Sequence, residues 1–227
     1  MKKALATALF LAIGGVPAFA QMAPAEPQGY VSAAAGPVWS GGDSTGSFSL
    51  EGGVRVAPHT MVFGSLGRFS NLQTGLDATL ASATTAAANA GVGVNATGTL
   101  ASWYGLGGVR VEAPVNARFA PYALGGVGAA HLSPTTELGY ASGALPDGST
   151  PAIGTDVSAS LEASGVVTPP TASTAFTFML GGGVDVSVAP HVAIDVGYRY
   201  SRINADPTLS SSPLNTSAIA FGVGYRF

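Results

Sequence analysis

The last nine residues of the chain alternate without a break. Ile219, Phe221, Val223, Tyr225 and Phe227 share one parity; Ala220, Gly222, Gly224 and Arg226 share the other. A two-residue period belongs to a β-strand, whose side chains point to opposite faces in turn. One face of this strand is apolar and aromatic, and the other is minute or charged. Any fold for this chain must give that strand two unlike surroundings.

The same demand recurs upstream. Phe48, Leu50, Val54 and Val56 oppose Ser49, Glu51, Gly53 and Arg55. Phe176, Phe178, Leu180, Val184 and Val186 oppose Thr177, Gly181, Gly183, Asp185 and Ser187. Val192, Ile194, Val196, Tyr198 and Tyr200 oppose Ala193, Asp195, Gly197, Arg199 and Ser201. Water could cover the charged face and a core the apolar one, as in a soluble lipocalin-like barrel. Against this, the face read as interior is too small and too charged for a packed core. The apolar face is also rich in aromatics near strand ends, at Phe63, Phe69, Trp103, Phe176, Tyr198, Tyr200, Tyr225 and Phe227. Aromatics at both rims suit membrane interfaces.

Composition agrees. The chain is 47% hydrophobic but only 9% charged, where an ordinary soluble domain is about 25% charged. Its longest apolar run is at the N-terminus, where Lys2-Lys3 precede Ala4–Val16 and then Ala18-Phe19-Ala20. That run falls short of the roughly 20 residues of a membrane helix and ends on a small-x-small cleavage pattern. Residues 1–20 therefore read as a secretion signal, 21–28 as a flexible leader, and 29–227 as the barrel. No cysteine is present, which excludes a disulfide framework and thiolate metal sites.

Three segments repeat: Gly52-Gly53-Val54-Arg55-Val56-Ala57-Pro58-His59, Gly107-Gly108-Val109-Arg110-Val111-Glu112-Ala113-Pro114, and Gly182-Gly183-Val184-Asp185-Val186-Ser187-Val188-Ala189-Pro190-His191. Each reads as a strand that stops at a proline turn, because proline offers no N–H to the ladder. The connections at the other end are longer and polar, over 40–46, 72–98, 133–172 and 204–215. Between the turns lie eight strand-like runs: 29–39, 47–57, 60–71, 99–112, 118–132, 173–188, 192–203 and 216–227. The stretch 153–161 also alternates and would allow a further hairpin. The expected fold is all-β: an eight-stranded antiparallel up-and-down transmembrane β-barrel, with short periplasmic turns and long extracellular loops. An even count leaves both termini in the periplasm.

A charge on the lipid side is costly, so the charged parity points inward. The inward set is Glu51, Arg55, Arg68, Arg110, Glu112, Asp185, Asp195, Arg199 and Arg226. The alternation is broken in the third to fifth strands by Val62, Leu66, Tyr104 and Leu106, and the faces there stay unassigned. Eight strands enclose a lumen narrow enough for side chains to fill. A salt-bridged plug is the expected interior, and a narrow solute path the alternative.

The chain resembles the opacity-protein/porin-like family of outer-membrane β-barrels, akin to small OmpA- and OmpX-type barrels. The carrying stretches are Pro121-Tyr122-Ala123-Leu124-Gly125-Gly126-Val127-Gly128, Gly181-Gly182-Gly183-Val184, Val196-Gly197-Tyr198-Arg199-Tyr200-Ser201 and Gly224-Tyr225-Arg226-Phe227. The resemblance implies residence in the bacterial outer membrane among lipid and lipopolysaccharide. It implies a structural or adhesin-like role, or slight permeability to small solutes, and an extracellular ligand held by the loops. It also implies an assembly signal read by the barrel assembly machinery. Gly222, Tyr225 and Phe227 match that signal, while Ala220 stands where a polar residue is usual. No peptidoglycan-binding domain of the OmpA type is expected after the last strand.

Catalysis has one candidate. His131 and Ser133 share a strand face, as a base and its nucleophile would. The pair resembles the His-x-Ser of lipid A deacylase barrels, over two residues only. Ser133 precedes Pro134 where that family has Asn-Ala, and Glu137 is too near in sequence to be its third member. The chain is read as a non-enzyme with no cofactor. His59 and His191 occupy equivalent turns, which points to geometry. Gly105-Leu106-Gly107-Gly108-Val109-Arg110 lacks the last glycine of a phosphate-binding loop and the helix after it. Basic residues do not cluster with aromatics, so nucleic acid is not an expected partner. The loop acids Asp43, Asp77, Glu137, Asp147, Asp156, Glu162 and Asp206, facing Arg202, read as a solvated acidic crown.

Overall fold

A computed structural model describes residues 28–72, 76–113, 118–205, 210 and 212–227. The expected signal, and the leader apart from Gln28, lie outside the described residues. The strands are β1 (Gly29–Ser40), β2 (Asp43–Ala57), β3 (Thr60–Phe69), β4 (Val92–Glu112), β5 (Phe119–Gly143), β6 (Ser173–Ala189), β7 (Val192–Ile203) and β8 (Leu214–Arg226). Each pairs antiparallel with the next, and β8 pairs with β1, closing a barrel of eight. The Phe227 carbonyl accepts from the Gln28 and Gly29 N–H groups at 2.6 and 2.9 Å. Closure satisfies the backbone that an open sheet edge would leave bare, which lipid does not tolerate.

The alternation reads directly in burial. Phe48, Leu50, Val54, Val196, Tyr198, Phe221, Val223 and Tyr225 are exposed on the outer wall, while Glu51, Asp185 and Asp195 are buried inside it. No described helix is long and apolar enough to cross a membrane; the strands do the crossing. At the short-turn end, Pro58-His59 and Pro190-His191 each follow a register shift, at Arg55/Ala57 and Ser187/Ala189. The repeated sequence thus encodes a repeated bulged hairpin. The turn after the second copy, 114–117, is outside the described residues.

The long-loop end departs from expectation. The connection expected over 40–46 contracts to the Gly41-Gly42 turn, both residues at positive φ (59° and 106°), as a two-residue hairpin of this hand requires. β4 and β5 run to 21 and 25 residues, about twice the 9–11 that span a membrane. They stay paired from Ala101↔Ser133 out to Val92↔Gly143 as a ribbon standing beyond the barrel. Helix α1 (Asp77–Asn89) packs on β4, burying Ala83 and Ala87 one turn apart. Helix α2 (Ser158–Ala163) packs on β5 through Leu161. Around them Val92, Val94, Leu138, Tyr140, Leu145, Val157 and Val167 form a separate core. The expected hairpin over 153–161 is instead the single bridge Gly139↔Asp156 followed by α2.

Candidate functional site

The inner wall toward the short-turn end carries the ions, and the strand pleat sets them there. Arg110 on β4 is the hub. It meets Glu112 at 3.1 Å, Glu51 at 3.6 Å, and Asp185 in a close ion pair. Arg226 on β8 pairs with the same Asp185 and reaches Glu112 at 3.4 Å. Arg55 lies 3.9 Å from Glu112. Arg199 joins Glu51 at 3.8 Å and Asp195 at 3.7 Å. Four guanidiniums and four carboxylates form one connected, formally neutral set. Neutrality matters because an uncompensated buried charge is severely destabilising. Arginine suits the place because its planar fork serves several acceptors at once.

Two tyrosines complete the layer, and parity reading overlooked both. Arg110 lies over the Tyr122 ring at 3.7 Å and faces Tyr30 at 4.9 Å. The Tyr30 hydroxyl donates to Glu51 at 2.5 Å, and that of Tyr122 to Asp195 at 2.6 Å. Arg199 donates to the Tyr122 hydroxyl at 3.0 Å. Tyr122 carries no charge to mark its parity, yet its register opposite Glu112 places it on the inner face.

Arg68 is a correction. It stands on the outer wall, pairing laterally with Phe48 and Trp103, its guanidinium 5.5 Å over the Trp103 ring. The inner parity of β3 is Met61, Phe63, Ser65, Gly67 and Phe69. Phe63 and Phe69, expected outside, are therefore buried inside at 3% and 4% exposure. Both parities of β3 hold large apolar residues, so a charge at its end could not choose the face. Of the other named aromatics, Trp103, Phe176, Tyr198, Tyr225 and Phe227 are exposed on the outer wall, and Tyr200 is half-buried.

Above the ions the lumen changes character. A cavity of about 20 Å³ lies among Ser47, Ser49, Glu51, Ser65, Tyr104 and Arg199, room for about one water. Beyond it Val38, Phe69, Leu72, Leu76, Leu100, Leu132, Ile203 and Leu214 pack together, all at or below 4% exposure. This apolar cap fills the long-loop mouth. Sequence alone hid it because Leu72 and Leu76 come from the loop rather than from a strand.

His131 and Ser133 both lie on the outer face of β5. His131 Nδ1 is 3.0 Å from the Thr174 hydroxyl, and no hydrogen bond joins it to Ser133. Glu137 sits opposite Thr97. At the end of β8, Tyr225 and Phe227 point outward and Gly222 inward. His191 stacks on Tyr225 at 5.6 Å and its Nδ1 lies 2.9 Å from the Arg226 carbonyl.

No curated protein matches the chain in sequence. Among solved structures it is similar to Neisserial surface protein A, at 16% identity and a TM-score of 0.53, covering 88% of this chain and 97% of that one. It is also similar to the attachment invasion locus protein of Yersinia pestis, at 16% identity and a TM-score of 0.47, over 89% and 100%. The N-terminal barrel domain of Pseudomonas aeruginosa OprF follows at 8% identity and 0.47, over 89% and 100%. The model of the outer membrane protein beta-barrel domain matches residues 6–227. The chain therefore belongs to the outer-membrane β-barrel family, a small eight-stranded barrel seated in the bacterial outer membrane.

Proposed function

We propose that this barrel is closed to solutes and acts through its extracellular face, as a structural and adhesin-like surface protein. The observation that carries the reading is the stacking of two seals of different chemistry in one lumen. The ion-paired layer around Arg110 fills the periplasmic half, and the apolar cap around Leu100 and Leu132 fills the outer mouth. A hydrated ion would have to break paired charges and then cross a greasy layer. The ribbon of β4 and β5 supports the surface role, since its own core holds a defined shape outside the membrane. A hydrolase built on His131 and Ser133 is disfavoured, because His131 is engaged with Thr174 instead.

We also infer that residues 1–20 are removed on export, leaving Gln21 first, and that Gly222, Tyr225 and Phe227 are read by the assembly machinery. Planar-bilayer recording of the purified barrel tests the main reading. The expected result is no steady unitary conductance. Reproducible single-channel steps would overturn it in favour of a narrow porin.

A further inference from the structure

We propose that the outer wall of β3, β4 and β5 is a docking stripe for one phosphorylated glycolipid of the outer leaflet. The argument starts from register. Phe48, Arg68, Trp103, His131 and Thr174 form one lateral row across five strands. Trp103 is 56% exposed, and Arg68 leans over its ring. Among the described residues no carboxylate lies within ion-pair distance of Arg68. The nearest acid on the outer face of β5 is Glu137, six residues beyond His131, or about 20 Å along the strand. A lipid-facing arginine costs about 2–4 kcal/mol at mid-membrane but roughly 0–1 near the interface. Arg68 thus marks the headgroup level, and His131 stands two strands and about 10 Å away across the tilted wall, with an aromatic between them. Such a bracket suits a phosphate.

The wall on either side of this row has matching chemistry. Toward the cell exterior the outer face carries four hydroxyls, one amide and one carboxylate: Ser133 opposite Ala101, Thr99↔Thr135, Thr97↔Glu137 and Asn95 opposite Gly139. These groups donate to and accept from sugar hydroxyls. Toward the membrane centre the wall loses its side chains at Gly64↔Gly107, next to Leu66, which leans over Gly105. A Cβ added at Gly64 or Gly107 would meet nothing nearer than 3.9 Å. The barrel itself therefore does not require glycine there. The bare floor, walled by Val62, Leu66, Val109 and Val127, makes a shallow trough for an acyl chain. Chain, phosphate and sugar are met in the order in which a phosphorylated glycolipid presents them. A glycerophospholipid would leave the hydroxyl ladder unused.

The full barrel, extracted from outer membranes in mild detergent, is titrated with bisphosphorylated lipid A and followed by native mass spectrometry. Dephosphorylated lipid A and phosphatidylglycerol serve as the comparison lipids. One lipid A is expected per barrel, binding at least tenfold tighter than either comparison lipid. R68A/H131A is expected to lose the same factor, and G107L to weaken binding by filling the trough. Gel migration before and after boiling checks that each variant is folded. Equal binding of the three lipids, or binding unmoved by R68A/H131A, would overturn the proposal. The phosphate comparison on the unaltered protein decides the matter even if a variant fails to fold.

Discussion

Arg110 lies over Tyr122, its guanidinium carbon 3.7 Å from the ring centroid, while the same group reaches Glu112 at 3.1 Å and Asp185. One side chain thus contacts two carboxylates and covers an aromatic face, at 3% exposure. Arg110→Met would keep most of the packing and leave Glu112 and Asp185 short of positive charge. A buried pair broken on one side typically costs about 3–5 kcal/mol. The variant is expected to unfold at clearly lower urea than the parent in detergent micelles. Arg110→Met/Asp185→Asn should recover part of the loss, because the second change removes a stranded charge. Equal midpoints for the two variants would argue against the pairing.

Where lipid supplies the outer solvent, the sequence is transparent. A strand such as β8 must change partner at every residue, and its letters show it. The same logic fails in β3, where Met61, Phe63 and Phe69 are as apolar inside as Val62 and Leu66 are outside. Arg68 then faces outward at an interface, where charge is cheap. The ribbon is hidden in the sequence for another reason. Ala83 and Ala87 are good helix formers four apart, and Val92, Val94, Leu138 and Tyr140 alternate, but they stand among Ala, Thr, Asn and Gly that also suit loops. The ionic residues were readable from parity. Their connection through Tyr30 and Tyr122 needed the registers of β1, β4 and β5.

The three Gly-Gly pairs of the repeats divide by face. A Cβ at inward Gly108 would collide with the Gly125 carbonyl, and one at Gly183 with Val196 O and the Tyr122 hydroxyl. At outward Gly107 the nearest atom would be 3.9 Å away. Gly108→Ala should therefore impair folding, read as loss of the heat-shifted gel band. Gly107→Ala should fold like the parent. Equal behaviour would mean that the inner wall yields more easily than its backbone contacts imply.

Asp156 joins the outer loop to the ribbon. Its carboxylate accepts from the Ser158 hydroxyl at 2.6 Å and the Ser158 N–H at 3.0 Å. The oriented hydroxyl then accepts from the Leu138 N–H at 2.9 Å. These bonds, the hydroxyl's first, hold the Asp156 carboxyl below its ordinary value. A depressed folded value means that the stabilisation is full above the unfolded value, about pH 4. It is lost as pH falls through the lower folded value. The Leu138 amide NMR signal should shift in that acid range in the parent and stay flat in Asp156→Asn. The energy involved is small because the group is exposed, and the barrel should remain closed throughout.

The apolar cap can be tested apart from the ions. Leu100 and Leu132 are both fully buried, and Leu132 shares the mouth with Ile203 and Ala130. Leu132→Ala would leave a cavity and cost about 2–5 kcal/mol by the usual core scale. The unfolding midpoint should drop accordingly. Conductance should nevertheless stay absent, because the Arg110 layer still fills the lumen below. Only a barrel weakened at both levels, as in Leu100→Ala/Leu132→Ala combined with Arg110→Ala, should begin to pass ions in a planar bilayer. Conductance from the cap variant alone would mean that the ionic layer is wet and permeable, and that the apolar mouth is the sole gate.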